Sequence, residues 1–242
     1  ASSQGIDAAY MAAANKGDTE TAQKMVDEAA KAAGFNERAY HGTDQKFYVF
    51  DFKKLNDGMF GKSFNFTKDF GRAAQYGDRV IDAYLISKKP LTIDDFSRRL
   101  TSDEATVVGR ILLDNPNYIT TSNNISLESV FDSHKNLDDR KIFTALEALG
   151  YDSIKIDDVV AVFNPNQIKL ADPITYDDNG KIIPLSQRFN VQSSDIRFRV
   201  GGSGVAATVP NGSRVNPGTP SGRIRNPVQI ARSLIKALGV GD

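Results

Sequence analysis

Residues 151–163 constrain the fold of this chain more than any other stretch. Residues 151–156 alternate in the manner of a half-buried strand, and residues 159–163 form an apolar run typical of a buried strand. Only Asp157 and Asp158 separate the two runs, which predicts a β-hairpin. Because a hairpin is antiparallel and the surrounding helices and strands occur in mixed order, the sequence favours an α+β fold over a doubly wound sheet.

Apolar residues at helical spacing predict most of the remaining elements. Residues 6–33 are alanine-rich and read as one or two helices, with Asp18 or Thr19 as the cap of the second helix and Gly34 as its end. Further helices are predicted for residues 69–76 and 139–149, and residues 94–113 are predicted to be mostly helical. A β-branched and aromatic strand is predicted for residues 80–86, ended by Lys88, Lys89 and Pro90.

Two other segments are assigned from their residue types. The apolar residues Phe47, Val49, Phe50 and Phe52 are assigned to core packing. Residues 172–200 are rich in turn signals, with a short edge strand at 181–183 and an extended piece from 196 to 200.

The last part of the chain has the composition of a flexible tether. Residues 201–227 are rich in Gly, Pro, Ser and Asn, and residues 228–238 form an amphipathic helix. Residues 196–241 contain seven Arg or Lys and no acid, although the net charge of the chain is zero. We expect the helix to dock on a partner, which is this domain, another subunit or the next part of a longer polypeptide; the basic tail adds salt-sensitive affinity for nucleic acid if it meets one.

Composition excludes several classes of site. The chain has no cysteine, so it has neither a disulfide nor a thiolate metal site. It has two histidines, His41 and His134, far apart and without clustered carboxylates, so no metal site is expected and His134 is read as an exposed loop residue. No run approaches the length of a membrane span, and the N-terminus lacks the order of a signal peptide.

The candidate functional residues begin with the run Tyr40, His41, Gly42 and Thr43. An imidazole at a strand end can hydrogen-bond a sugar hydroxyl, and glycine lets a ligand approach the backbone. A glycine-containing loop, an apolar strand and a helix that carries Tyr76 follow this run.

Residues in this order resemble the nicotinamide pocket of the ADP-ribosyltransferase superfamily, most closely the domains found in polyvalent proteins of phages and mobile elements. The resemblance implies a split β-sheet core at residues 37–171, after a helical lead-in at 1–36 and before an irregular extension at 172–200 and a flexible tail at 201–242. It implies NAD as substrate, a macromolecular acceptor (host protein or nucleic acid), and an effector or toxin that is virion-associated or acts in the bacterial host cytoplasm.

The resemblance also implies roles for individual residues. His41 binds the NAD ribose with Thr43 in support, and the Gly42 backbone holds the nicotinamide amide. The two ring-stacking positions of the polymerase-like branch fall on Asn65, which departs from the usual Tyr and precedes Phe66, and on Tyr76. The family Glu before the late strand is absent from this sequence.

A carboxylate is still needed, because breaking the bond between nicotinamide and ribose passes through an oxocarbenium-like state. Asp158 is the first candidate and Asp157 the second. Two alternatives to the transferase stay open at this point. One is a catalytically weak or inactive NAD-fold module that serves as a virion or interaction component, and the other is a NAD glycohydrolase.

Overall fold

The computed structural model describes residues 3–54, 63–122, 124–129 and 139–198. The predictions made for the glycine-containing loop before Ser63, for His134 and for the tail and its helix lie outside these residues.

Within the part of the chain that the structure describes, seven strands form one sheet. In chain order they are β1 Glu37–Thr43, β2 Phe64–Thr67, β3 Arg79–Leu85, β4 Pro90–Leu91, β5 Ser153–Ile156, β6 Val159–Val162 and β7 Ile168–Leu170. Their order across the sheet is β4-β5-β6-β2-β1-β3-β7. The predicted hairpin is confirmed as β5–β6, which is antiparallel with Ile156 opposite Val159. The α+β class is therefore confirmed.

The sheet is nearly divided at its centre. Strand β1 pairs with β3 from Glu37 to Thr43, whereas β1 and β2 share the single register pair Tyr40↔Thr67. One half of the sheet is thus β4-β5-β6-β2 and the other is β1-β3-β7. This is the split sheet that the resemblance implied.

Helices surround the sheet, and the structure gives the bounds of six of them. They are α1 Ser3–Asn15, α2 Thr19–Ala32, α3 Phe70–Ala73, α4 Ile93–Ser97, α5 Ser102–Leu112 and α6 Asp139–Ala148. The predicted interruption after α1 is confirmed, and the Asp18 carboxylate caps α2 by accepting a hydrogen bond from Thr21 N at 3.0 Å. Helices α4, α5 and α6 bury their apolar sides against β5 and β6.

The strand predicted at 80–86 is confirmed as β3, which ends at Leu85 before Lys88, Lys89 and Pro90. Pro90 and Leu91 then form a further strand, β4, which the sequence did not predict and which pairs in parallel with β5; an edge strand accepts proline because its outer side needs no N–H donor. Residues 94–113 are mostly helical, as predicted, and contain two helices. Thr92 and Thr101 each form a capping box, and Thr101 starts α5 after a break.

The helical lead-in and the irregular extension share a hydrophobic cluster. Tyr10, Val26, Phe35, Leu185 and Phe189 are buried there with Tyr84 of β3. Residues 181–183 make one isolated bridge, Tyr176↔Ile182, so the predicted edge strand was wrong.

The buried Arg188 guanidinium secures this extension through backbone acceptors. It donates to the carbonyl oxygens of Leu170 at 3.0 Å and Asp172 at 2.8 Å, and it lies 3.4 Å from the Tyr10 hydroxyl. Burial lowers the pKa of Arg188, and the nearby Tyr10 and Asp172 side chains oppose that effect. Residues 172–198 therefore belong to the folded body although they contain little regular structure.

Aromatic packing forms the third cluster, which spans both halves of the sheet and includes side chains of β1, β3 and β7 as well as β2 and β6. Phe50 is buried there, and Phe47 and Phe52 pack against it, but Val49 is 46% exposed, so its assignment to the core was wrong. Ile196 is also buried in this cluster, yet residues 196–197 form a turn, so the predicted extended piece was wrong as far as the structure describes it.

We expect the extension to contribute strongly to stability. Replacing Leu185, which is 4% exposed, by Ala should lower the free energy of unfolding by about 2–5 kcal/mol, because it leaves a cavity between the lead-in helices and the sheet. Chemical denaturation of the full chain measures this, with Val191→Ala, at a position 42% exposed, as the matched control. Equal stability of the two variants would contradict the packing of the extension.

Candidate functional site

The direction of the β1 backbone at Gly42 is set by the neighbouring strands. Asp82 O accepts a hydrogen bond from Ala171 N at 2.9 Å, so the backbone of Asp82 faces β7. Its β1 partner is Tyr40, which must then face the other way, toward Thr67 of β2. Gly42 lies two residues further along β1, so its N–H and C=O also face β2.

The ladder between β1 and β2 stops before it reaches Gly42. Continuing the register Tyr40↔Thr67 would place Gly42 opposite Asn65, but Tyr40↔Thr67 is the one pair of this ladder. The carbonyl oxygen of Asn65, which the ladder would offer to Gly42 N–H, instead lies 2.8 Å from His41 Nδ1. The two strands separate here, and the polar backbone groups of Gly42 face the gap.

The same contact fixes the tautomer of His41, and burial of the ring decides its charge. A carbonyl oxygen only accepts, so Nδ1 carries the proton and donates to Asn65 O. Burial lowers the pKa of His41, more than the bond to Asn65 raises it, so the imidazole is neutral near pH 7. Nε2 then keeps its lone pair and can accept a hydrogen bond from a hydroxyl group. The rings of Phe47, Phe50 and Phe66 surround the imidazole at centroid distances of 6.4, 5.1 and 5.4 Å.

Glycine at position 42 is also required by packing on its other face. A Cβ added to Gly42 would lie 1.8 Å from the carbonyl oxygen of Ala73 and 3.0 Å from Tyr76 Cβ. Helix α3 and the following 3-10 turn, Ala74–Tyr76, therefore rest directly on β1. The lack of a side chain at Gly42 allows this close approach of the helix. The sequence argument had instead explained the glycine by the approach of a ligand to the backbone.

Tyr76 lies on this helical segment with its side chain 65% exposed. The predicted helical course of residues 69–76 is confirmed, and Asp69 caps α3 by accepting from Arg72 N at 3.1 Å. The short helix thus brings Tyr76 next to Gly42 and leaves its ring open to a planar ligand.

Asp158 lies in the two-residue turn between β5 and β6 and is held by both carboxylate oxygens. Oδ2 accepts from Thr67 Oγ1 at 2.5 Å, and Oδ1 accepts from Arg72 Nη1 at 2.7 Å. The bond from Thr67 lowers the pKa of Asp158, and Arg72 lowers it further against the opposing effect of burial. Asp157 is exposed with φ of 54°, a left-handed conformation that the tight turn demands.

The other sequence candidates have local partners. Thr43 Oγ1 accepts from Gln45 N at 3.1 Å and closes a turn after β1. The Asn65 amide donates to Ser63 O at 2.9 Å, while Phe66 is buried beside His41. Gln167, which the sequence offered as a further polar group, closes the turn after β6, where its Oε1 accepts from Asn164 N at 2.8 Å.

Two residues of this network were missed by the sequence reasoning. Thr67 and Arg72 hold Asp158, but a Thr at a strand end and an Arg in a first helical turn carry no motif of their own. The one signal was spacing, since Arg72 precedes Tyr76 by one helical turn and therefore shares its face.

Comparison with known families identifies the family of the chain. The sequence model of the family described as ADP-ribosyltransferase in polyvalent proteins matches residues 31–176, more than half of the chain. The chain belongs to this ADP-ribosyltransferase family. The family supports ADP-ribosyltransferase activity in general, with NAD as the substrate of its members.

Searches of curated proteins and of solved structures gave no significant match. No helix within the described residues combines the length and apolarity that a membrane span requires. The same part of the chain contains no group of three or more His, Asp or Glu placed to hold a metal ion.

The close approach at Gly42 generates a direct prediction. Gly42→Ala should lower the free energy of unfolding by about 1–3 kcal/mol or more, because the new methyl group meets the backbone oxygen of Ala73 and α3 must shift. Gly71→Ala on the same helix is the matched control, since its Cβ would meet nothing nearer than 3.3 Å. Thermal and chemical denaturation of both variants measure the difference, and a Gly42 variant as stable as the control would contradict the packing.

Proposed function

We propose that this protein transfers ADP-ribose from NAD to a macromolecular acceptor. The proposal rests on the hydrogen bonds at the sheet split. His41 Nδ1 donates to the Asn65 carbonyl oxygen, and the Gly42 N–H and C=O face the gap instead of completing the β1–β2 ladder. A donor and an acceptor side by side match the primary amide of nicotinamide.

The groups around this gap suit the remaining parts of NAD. Neutral His41 offers Nε2 as an acceptor for a ribose hydroxyl. The exposed ring of Tyr76, whose Cβ stands next to Gly42, offers a stacking surface for the nicotinamide ring. With Asn65 in place of the second aromatic residue, the stacking is one-sided, and Asn65 contributes through its backbone.

The reaction breaks the bond between C1′ of the ribose and the nicotinamide nitrogen, and the electron pair leaves with nicotinamide. Positive charge then develops at C1′ and O4′, and an acceptor nucleophile bonds to C1′ and releases its proton. A carboxylate near the ribose stabilises that charge more in the transition state than in bound NAD. Asp158 is the residue assigned to this role because it remains ionised and is fixed at both oxygens.

The proposed setting is that of the polyvalent-protein relatives. The protein acts as a phage- or mobile-element-encoded effector or toxin, carried with the virion or present in the bacterial host cytoplasm, and its acceptor is a host protein or nucleic acid. Residues 201–242 serve as a basic tether for recruitment. The competing candidate is an NAD-binding module with weak or no chemistry, which is favoured by the shorter Asp in place of Glu and by Asn65. Transfer to water alone would make the protein an NAD glycohydrolase.

The pocket assignment predicts specific losses of NAD binding. Tyr76→Ala should weaken NAD affinity roughly tenfold or more, since stacking of a base on an aromatic ring contributes about 1–3 kcal/mol. His41→Ala should weaken it by about tenfold through loss of the hydroxyl contact and of the hold on Asn65. Calorimetry measures both affinities, with circular dichroism to verify the fold. Tyr176→Ala, at a position 50% exposed outside the site, is the matched control and should bind as wild type. Unchanged affinity in both pocket variants would refute the assignment.

The function itself is tested by incubating the full chain with adenylate-labelled NAD and bacterial lysate, followed by separation of protein and RNA. The proposal expects label on a macromolecule in an amount that Asp158→Asn reduces. Free ADP-ribose alone would select the glycohydrolase. Binding of NAD without release of nicotinamide would select the binding module.

A further inference from the structure

Arg72 joins helix α3 to the β5–β6 turn, two parts of the proposed pocket that are distant in the chain. Its Nη1 donates to Asp158 Oδ1 at 2.7 Å. Burial lowers the pKa of Arg72, but the charge of Asp158 and the bond to it raise that pKa overall. The guanidinium is therefore a charged anchor for the Asp158 carboxylate.

We propose that Arg72 is a positioning residue for ADP-ribosyl transfer: from helix α3 it holds the Asp158 carboxylate in a fixed orientation at the site. The inference rests on the proposed function, because it assigns Arg72 a role in the same site. It also explains how an Asp, one methylene shorter than Glu, can be kept in place.

The geometry requires such a support. Asp158 follows Asp157 in a two-residue turn, where neither residue is anchored by a ladder of its own. Its backbone is tied to β2 through Lys68 N, which donates to Asp158 O at 2.8 Å, and its Oδ2 accepts from Thr67. The remaining oxygen, Oδ1, would be free to rotate toward solvent without Arg72.

The charged groups around Asp158 single out Arg72 as its cationic partner. The Lys68 ammonium lies 2.7 Å from Glu37 and is paired with that carboxylate. The Asp69 side chain caps α3, and Asp157 is exposed in the turn. Among these groups, Arg72 is the cation that lies within ion-pair distance of the Asp158 carboxylate.

The role predicts a split between turnover and affinity. Arg72→Gln should lower kcat for nicotinamide release roughly tenfold to a hundredfold, since a displacement of about 1 Å can cost about a hundredfold in rate, while KM for NAD changes less than about threefold. Arg72→Lys keeps the charge but loses the guanidinium geometry, and should recover only part of kcat. Arg98→Gln is the matched control: Arg98 forms an ion pair with Glu104 of similar exposure away from the site, so this variant should keep wild-type kcat.

A double-mutant cycle separates positioning from direct contact with NAD. If Arg72 acts through Asp158, then Arg72→Gln should cause less than a threefold further loss of kcat in an Asp158→Asn background. A loss that multiplies fully, or a rise in KM with kcat unchanged, would mean that Arg72 binds NAD itself, and the positioning role would be overturned.

A second readout does not depend on NAD. Carbon-13 NMR titration of the Asp158 carboxyl group, assigned with the Asp158→Asn variant, should show its pKa below the usual value in wild type and raised in Arg72→Gln. An unchanged titration would overturn the proposal. The two proposals can fail separately. If the wild-type protein neither binds nor turns over NAD but shows the expected titration, the proposed function is refuted and the contact between Arg72 and Asp158 stands. The role of Arg72 in ADP-ribosyl transfer is then refuted together with the proposed function.

Discussion

The hydrogen bond from His41 Nδ1 to the carbonyl oxygen of Asn65 is the interaction on which the site depends. It replaces the bond that Gly42 N–H would otherwise make in a continuous β1–β2 ladder. With that acceptor taken, the sheet separates into two halves that meet at Tyr40↔Thr67. The same bond sets the tautomer of His41, while the pairing of β1 with β3 directs the backbone groups of Gly42 toward the gap. The contact and the exposed backbone groups thus lie together at the place where the two strands separate.

Packing on the opposite face of β1 completes the arrangement. Since Gly42 has no side chain, the backbone of α3 approaches β1 closely, and this short helix carries Arg72 and Tyr76 to the site. Arg72 reaches the β5–β6 turn and holds Asp158. The structure thus connects the two halves of the sheet by side chains at the place where their backbones separate. A cofactor bound in the gap would contact elements that are distant in sequence but mechanically linked.

Much of this arrangement could be predicted from the sequence, and the exceptions have physical reasons. The β5–β6 hairpin, the break at Asp18 and the helix before Tyr76 follow from local periodicity and capping, which sequence displays directly. Strand β4 at Pro90 and Leu91 was not predicted, because the tolerance of proline at an edge position depends on the absence of a neighbouring strand, which is a tertiary fact. The irregular residues 172–198 looked like an appendage, since burial of Leu185 and Arg188 depends on helices that lie far away in the chain. Thr67 and Arg72 were missed for the same reason: their importance comes from Asp158, about 90 residues later.

A crystal structure of the protein with a non-hydrolysable NAD analogue tests the central claim most directly. The account predicts that the nicotinamide amide bonds to the N–H and C=O of Gly42, that its ring lies on Tyr76, and that a ribose hydroxyl donates to His41 Nε2. The bond between His41 Nδ1 and Asn65 O should persist in the complex. An analogue bound elsewhere, or a continuous β1–β2 ladder with Gly42 paired to Asn65, would contradict the account.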